Sequence, residues 1–390
     1  MSNDNDLTKS ITLDYENRLK AIFEDFHAHP ELSLAEFETA KKISTALKNH
    51  GFTVTENVGG TGVVALLKNG KGPLVMMRAD MDGLPLEEKT DLPYASKDKQ
   101  LDPVTGNVFP VMHACGHDVH ITALIGTAKQ MVDLKSEWSG TLMLIAQPAE
   151  ERVLGARNMM NDNLWERFGK PDYALAFHVS SMLPSGIVNV VDGSPYAGAD
   201  TVDIYVHGIG AHGASPHAGK DPIVLGSQIV NSLQTLVSRE LPPRQPGVVT
   251  VGAFHSGTKH NIISDMAHLQ LTVRNTNDKT RDTLLSGIKR ISENLGRAAG
   301  LPEDKLPEVV VSEESTPPTI NDTELANRLK NLWQEKMGIN RVTSYSSDGM
   351  GAEDFPFFTR DPHIPSVYFA VGGTNHDYFK AALDGSGPPI

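Results

Sequence analysis

The 390-residue chain is longer than one hydrophobic core ordinarily serves, so two domains are expected. Its 35 Lys and Arg against 48 Asp and Glu leave a formal net charge of -13, which argues against nucleic acid or an anionic membrane as the main partner. No run approaches the roughly 20 apolar residues that span a bilayer, the start lacks a signal peptide's apolar core, and a single cysteine fits a reducing cytoplasm.

From the N-terminus, Tyr15, Leu19, Ile22, Phe23 and Phe26 recur at helical spacing. His29-Pro30-Glu31 interrupts them, and a second helix is expected to about His50, with Gly51 just past its end. Strand-like runs follow at 63–67 and 73–77, the second leading into Arg78-Ala79-Asp80-Met81-Asp82. A long loop, 87–111, reaches His113-Ala114-Cys115-Gly116-His117-Asp118, and Ile121, Leu124, Ile125, Ala128, Met131 and Val132 then mark a helix. An apolar strand at 140–146 ends in Gln147-Pro148-Ala149-Glu150-Glu151, and another at 173–177 ends in His178. Strands alternating with helices imply an α/β domain with a mixed, mostly parallel sheet flanked by helices. The chemically interesting residues fall at strand C-terminal ends, where open α/β sheets bind ligands.

After about Asp192 the pattern changes. Strands are expected at 201–207, 247–254 and 268–274, a helix capped by Asp221-Pro222, and another from about Thr280 to Ala299. This reads as an inserted α+β domain at 193–315, with 1–192 and 316–390 forming a discontinuous catalytic domain.

Thiolate and imidazole are preferred ligands of zinc-like ions, and carboxylates join them for harder metals. Taken alone, Cys115 reads at least as well as a small buried hydrophobe, most adjacent glutamates such as Glu150-Glu151 are a solvated pair, and Asp82 has a loop cap as its lesser reading. Together they project from one edge of the expected sheet with His117 and His178, which favours a metal centre. Neighbouring glutamates on such a turn can divide labour, one holding metal and the other moving a proton, while Asp82 can orient a ligating histidine from behind.

Seven segments carry a resemblance: HAHPELSLAE at 27–36, RADMDGLPLEE at 78–88, HACGHD at 113–118, PAEE at 148–151, HGIGAHGASPHAGKDPI at 207–223, GTKHNIISD at 257–265 and MGAEDFPFF at 350–358. The chain resembles the metallopeptidase and amidohydrolase family of carboxypeptidase G, succinyl-diaminopimelate desuccinylase and aminoacylases, most of all its hippurate hydrolase and indole-acetyl-amino-acid hydrolase branch. The resemblance implies a zinc-exopeptidase-like catalytic domain and an inserted domain that serves as lid and dimerisation unit. It implies two divalent ions per subunit, zinc or manganese, with cobalt or nickel also admissible. Cys115 would bridge them, His117 and His178 would complete one site and Glu151 would ligate the other. Glu150 would be general base and acid, Asp82 a supporting carboxylate, and His212 an oxyanion donor in the partner subunit's site. Asn261 and Arg274 would hold substrate, Arg274 through its carboxylate, and His217 is expected to be structural. In that branch a Gly-Pro-Pro turn precedes an Asn-His pair that supplies the last metal ligand. Gly387-Pro388-Pro389 is present here but the sequence stops at Ile390, so a lost tail is expected, ahead of substitution by His376.

The activity expected is hydrolysis of N-acyl amino acids by a cytoplasmic homodimer. Three rivals stand beside it: a dipeptidase or carboxypeptidase of the same family, nucleophilic catalysis by Cys115 with His117 as base, and a metal-binding but catalytically degenerate protein.

Overall fold

The computed structural model describes residues 2–346 and 349–388. The chain divides into two compact units: the described residues of Met1–Pro195, Ile320–Ser347 and Asp354–Ile390 form one, and Tyr196–Thr319 with 349–353 forms the other.

The first unit is built on an eight-stranded sheet in the order Thr53–Val58, Gly62–Asn69, Gly140–Gln147, Leu74–Asp80, Tyr173–Pro184, Ser366–Thr374, Val188–Asn189, Val342–Thr343. The four middle strands from Gly140–Gln147 to Ser366–Thr374 run parallel, and Thr53–Val58, Gly62–Asn69 and Gly140–Gln147 pair antiparallel. Gly140–Gln147 is buried along almost its whole length, which accounts for its unbroken apolar sequence. Helices Lys20–Ala28, Phe37–Asn49 and His117–Asp133 contribute Phe26, Ile43, Leu47, Ile121, Leu124 and Ile125 to a core shared with Val63, Ala65, Leu142, Leu144 and Ala146 of the strands. The mixed, largely parallel α/β architecture is as the alternation of elements predicts.

Three details differ from the sequence expectation. Thr53–Val58 forms an edge strand although its polar TVTENV sequence carries little apolar signal. The 87–111 loop contains a hairpin of Lys99–Leu101 and Val108–Pro110. His178 does not end its strand: pairing with Ser366–Thr374 carries the strand on to Pro184, so His178 sits within a continuous ladder opposite Ala370.

The second unit has a four-stranded antiparallel sheet in the order Gly247–Ser256, Met266–Asn275, Gly198–His207, Glu308–Thr316. One face packs Val202, Ile204, Val206, Leu269, Leu271 and Val273 against Ile229, Leu233, Leu284 and Ile288 of helices Pro222–Thr235 and Asp278–Ala298. Asp221 caps the first helix through the Ile223 and Val224 N–H groups, as its sequence predicts. The Arg281 guanidinium anchors the second to the sheet through the buried Asp200 carboxylate, at 2.6 to 3.0 Å.

Candidate metal centre

Four segments of the first unit supply the site: the end of Leu74–Asp80, the start of helix His117–Asp133, the turn Glu150–Arg152 and the middle of Tyr173–Pro184. Gly116 caps the helix at φ +82°, and a Cβ there would lie 2.4 Å from a Val179 methyl. Only glycine makes this tight entry, which sets Cys115 and His117 on either side of it.

The turn Glu150–Arg152 is flanked by Ala149 at φ +48° and Val153 at φ +58°, left-handed conformations that cost a non-glycine residue about 1–3 kcal/mol each. Outside contacts hold it. Ala149 N–H donates to Glu36 Oε1 at 2.8 Å, Glu151 N–H to Asp82 Oδ2 at 3.0 Å, and Arg152 grips both Asp102 oxygens at 3.0 Å.

Hydrogen bonds to backbone fix which nitrogen of each histidine is left for a ligand. A carbonyl oxygen only accepts, so His117 Nδ1 donates to the Asp82 carbonyl at 2.8 Å and His178 Nδ1 to the Val179 carbonyl at 2.6 Å. His117 Nε2 is buried without a hydrogen bond, and His178 Nε2 lies 3.4 Å from Cys115 Sγ. His120 is different: Nε2 accepts from Val179 N–H at 2.9 Å and Nδ1 donates to Asp80 at 2.5 Å. Asp80, His117 and His120 converge, but both His120 nitrogens are spent, so that triplet is a support and not a ligand set.

Among the other groups whose donor atoms lie within 4.8 Å of one another, two contain His117: Cys115, His117 and His178, and His117, Glu150 and Glu151. His117 is common to both, its Nε2 3.9 Å from a carboxylate oxygen of each glutamate. Burial pushes the Glu151 carboxyl up to about 8, with Cys115 and Asp82 adding to it. Burial also opposes the Cys115 thiolate, but the neighbouring His117 and His178 imidazoles favour it and bring its pKa down to about 7. Burial disfavours a charge on His117, yet Asp80, Asp82 and Cys115 outweigh it and hold the pKa well above the usual value. Beneath the site the fully buried Arg78 pairs Asp80 at 2.5 Å and Asp354 at 3.3 Å, and also bonds Gln147 and Tyr368.

These residues fit metal. His117 Nε2 and Glu151 Oε1 are buried polar atoms without hydrogen bonds, a state that native interiors avoid unless something else takes the place of the partner. Thiolate, imidazole and carboxylate together are the donors of divalent transition ions, and the two triplets gather such donors around His117, whose Nε2 can serve one ion while the remaining donors are left for a second.

A donor set of this kind, beside strands of a largely parallel α/β sheet, defines a metal-dependent hydrolase. The chain belongs to peptidase family M20/M25/M40, which it matches over residues 76–382. It is 35% identical over 371 residues to thermostable carboxypeptidase 1 of Saccharolobus solfataricus, covering 94% of this chain and 88% of that one. It is 36% identical over 347 residues to hippurate hydrolase of Campylobacter jejuni, covering 89% and 86%. In three dimensions it resembles the Bacillus subtilis YXEP protein, a dinuclear metal binding peptidase, with a TM-score of 0.74, 29% identity and coverage of 92% and 89%. Fold, donors and relatives agree on a dinuclear-metal amidohydrolase site suited to amide bonds of small acyl-amino-acid-like substrates.

Of the residues singled out in the sequence, Asp82, Cys115, His117, Glu150, Glu151 and His178 come together in the first unit. His212 and Asn261 neighbour each other in the second: Ala211–His212 pairs with Ile262–Ile263, and Gly213 N–H donates to the Asn261 carbonyl at 2.8 Å. Arg274 stands on the four-stranded sheet, half-buried, with no hydrogen bond or ion pair among the described residues. His217 is exposed on the short turn Pro216–Ala218, so nothing in the packing supports a structural role. His376 opens the exposed helix His376–Leu383 and joins none of the donor groups among the described residues, while Pro389 and Ile390 lie outside them. Sequence reasoning missed Asp80, His120 and Glu36. The i, i+3 spacing of His117 and His120 on one helix face was the available signal for His120.

Proposed function

We propose that the chain hydrolyses the amide bond of N-acyl amino acids (hippurate-like, N-acetyl or indole-acetyl conjugates) to a carboxylic acid and a free amino acid. The observation that carries this reading is the pair Glu150-Glu151 beside His117 Nε2, one carboxylate for metal and its neighbour for the proton. Two divalent ions, zinc or manganese, would be held by Cys115, His117, His178 and Glu151. When bound they supply Lewis acidity to the acyl carbonyl and make water a nucleophile near neutral pH. Glu150 takes the proton of the attacking water and returns it to the leaving amine. Asp82, bonded to Glu151 N–H and beside His117, fixes both in orientation.

In the second unit, His212 Nδ1 accepts from Ala214 N–H at 3.1 Å, which leaves Nε2–H as the donor an oxyanion requires. Arg274 has an unengaged guanidinium suited to a bidentate grip on the free carboxylate, and Asn261 a buried side-chain oxygen without a hydrogen bond, suited to a substrate N–H. The second unit would act as lid and dimerisation domain of a cytoplasmic homodimer, with His212 serving the partner's site. No helix among the described residues is long and apolar enough to cross a membrane.

The test is release of free amino acid from N-benzoyl, N-acetyl and indole-acetyl amino acids and from simple dipeptides, before chelation, after it, and after restoring manganese or zinc. Acyl-amino-acid turnover lost on chelation and regained with metal is the expected result. Preference for unblocked dipeptides would replace the substrate class with a peptidase. Chelator-resistant turnover would transfer catalysis to Cys115 as nucleophile.

A further inference from the structure

The 27–36 segment, between helices Lys20–Ala28 and Phe37–Asn49, supplies no donor to the metal centre, yet its polar side chains reach the segments that do. His27 Nδ1 lies 2.7 Å from Asp118, in the first turn of the helix that begins at His117. Ser33 donates to Asp82 Oδ2 at 2.6 Å, the same oxygen that accepts Glu151 N–H. The Glu31 carbonyl accepts Gly83 N–H at 2.6 Å, fixing the chain just after Asp82.

Glu36 is the most telling of these. Its carboxyl group is fully buried, and Oε1 accepts from Leu34 N–H at 3.0 Å and Ala149 N–H at 2.8 Å, while Oε2 accepts from the Thr61 hydroxyl at 2.6 Å. All three donors are neutral. Burial, with Asp82 nearby, pushes its pKa up to about 7. A buried carboxyl without a cationic partner is an expensive way to fill space, and an apolar residue would pack at lower cost. What Glu36 does that an apolar residue cannot is accept from Ala149, the left-handed residue immediately before Glu150.

We propose that Glu36 is a positioning residue for the dinuclear centre: by holding Ala149 left-handed it aims Glu150 and Glu151 at His117, with Ser33 assisting through Asp82. The proposal rests on the dinuclear reading above. Its reach is confined to the glutamate side of the site, because Cys115 and His178 are held by contacts that do not involve Glu36.

The experiment is titration of Mn2+ and of Zn2+ into metal-free protein, followed by calorimetry and elemental analysis, for the wild type, Glu36→Ala, Glu36→Gln and Glu36→Asp, with kcat and KM measured in parallel. Wild type binds two ions. Glu36→Ala keeps one ion at near wild-type affinity and binds the other about 10–100-fold more weakly, and kcat falls by a similar factor while KM stays within about threefold. Glu36→Gln retains the Oε1 acceptor and restores the second ion. Glu36→Asp keeps the charge but not the reach, so it weakens the same ion as Glu36→Ala does and takes that variant's place should it fail to fold. Equal weakening of both ions, no weakening of either, or a Glu36→Gln as defective as Glu36→Ala each overturns the proposal while the dinuclear reading stands. A wild type that binds only one ion overturns the dinuclear reading itself, and the proposal with it.

Discussion

In the first unit Arg78, Asp80, Asp82 and His117 are each at most 1% exposed, and hydrogen bonds hold each in one orientation. In the second unit the residues expected to meet substrate are left open: His212 is exposed, Arg274 is half-buried without a partner, and Asn261 has an unpaired side-chain oxygen. Under the proposed function, the contrast follows from what each set would bind. A metal centre works only if its donors are aimed before the ion arrives, so their second nitrogens and oxygens are fixed by neighbours. A group that grips a substrate must keep its hydrogen-bonding capacity unspent until the substrate supplies the partner.

The largest effect should come from the closed region. Glu150→Gln is expected to lower kcat by about 10^3-fold, within the range for a lost acid–base group, with two ions still bound by elemental analysis. Loss of an ion in that variant would show that Glu150 is a ligand and would break the division of labour with Glu151. In the open region, Arg274→Met should raise KM about 100-fold for acyl amino acids, roughly the worth of a charge-assisted bidentate pair. Because no described residue pairs with Arg274, the melting temperature should barely move; a large drop in melting temperature with KM unchanged would make it a structural residue instead.

The smallest effect tests how firmly the closed region is held together. His27 lies between Asp118 and Glu88, and hydrogen bonding to Asp118, with Glu88 assisting, outweighs burial to raise its pKa to about 9. Its folded pKa exceeds the ordinary 6.5, so its stabilising contribution is complete below pH 6.5 and is lost as pH rises through 9. His27→Gln in metal-free protein should therefore cost about 2 kcal/mol in urea unfolding at pH 6 and much less at pH 10. An equal cost at both would mean that His27 packs as a neutral ring.

The sequence by itself determined the architecture and picked out most of the residues that converge at the candidate metal centre. Helical spacing around Ile121 and Leu124, and the unbroken apolar run before Gln147, are local consequences of burial on a helix face and in a central strand. Cys115, His117, Glu150, Glu151 and His178 stood out because a lone thiol, clustered imidazoles and paired carboxylates at expected strand ends have few other uses in combination, and because most of their segments carry the family resemblance. Tertiary structure alone decided the rest. Thr53–Val58 is a strand because Gly62–Asn69 offers it a ladder, not because its sequence is apolar. His120 is excluded as a ligand only by Val179 N–H and Asp80, and the role of Glu36 depends on Ala149, 113 residues away. A hydrogen bond between distant segments leaves no periodicity in either one, so which carboxylate meets metal and which holds a neighbour in place is settled only when the chain has folded.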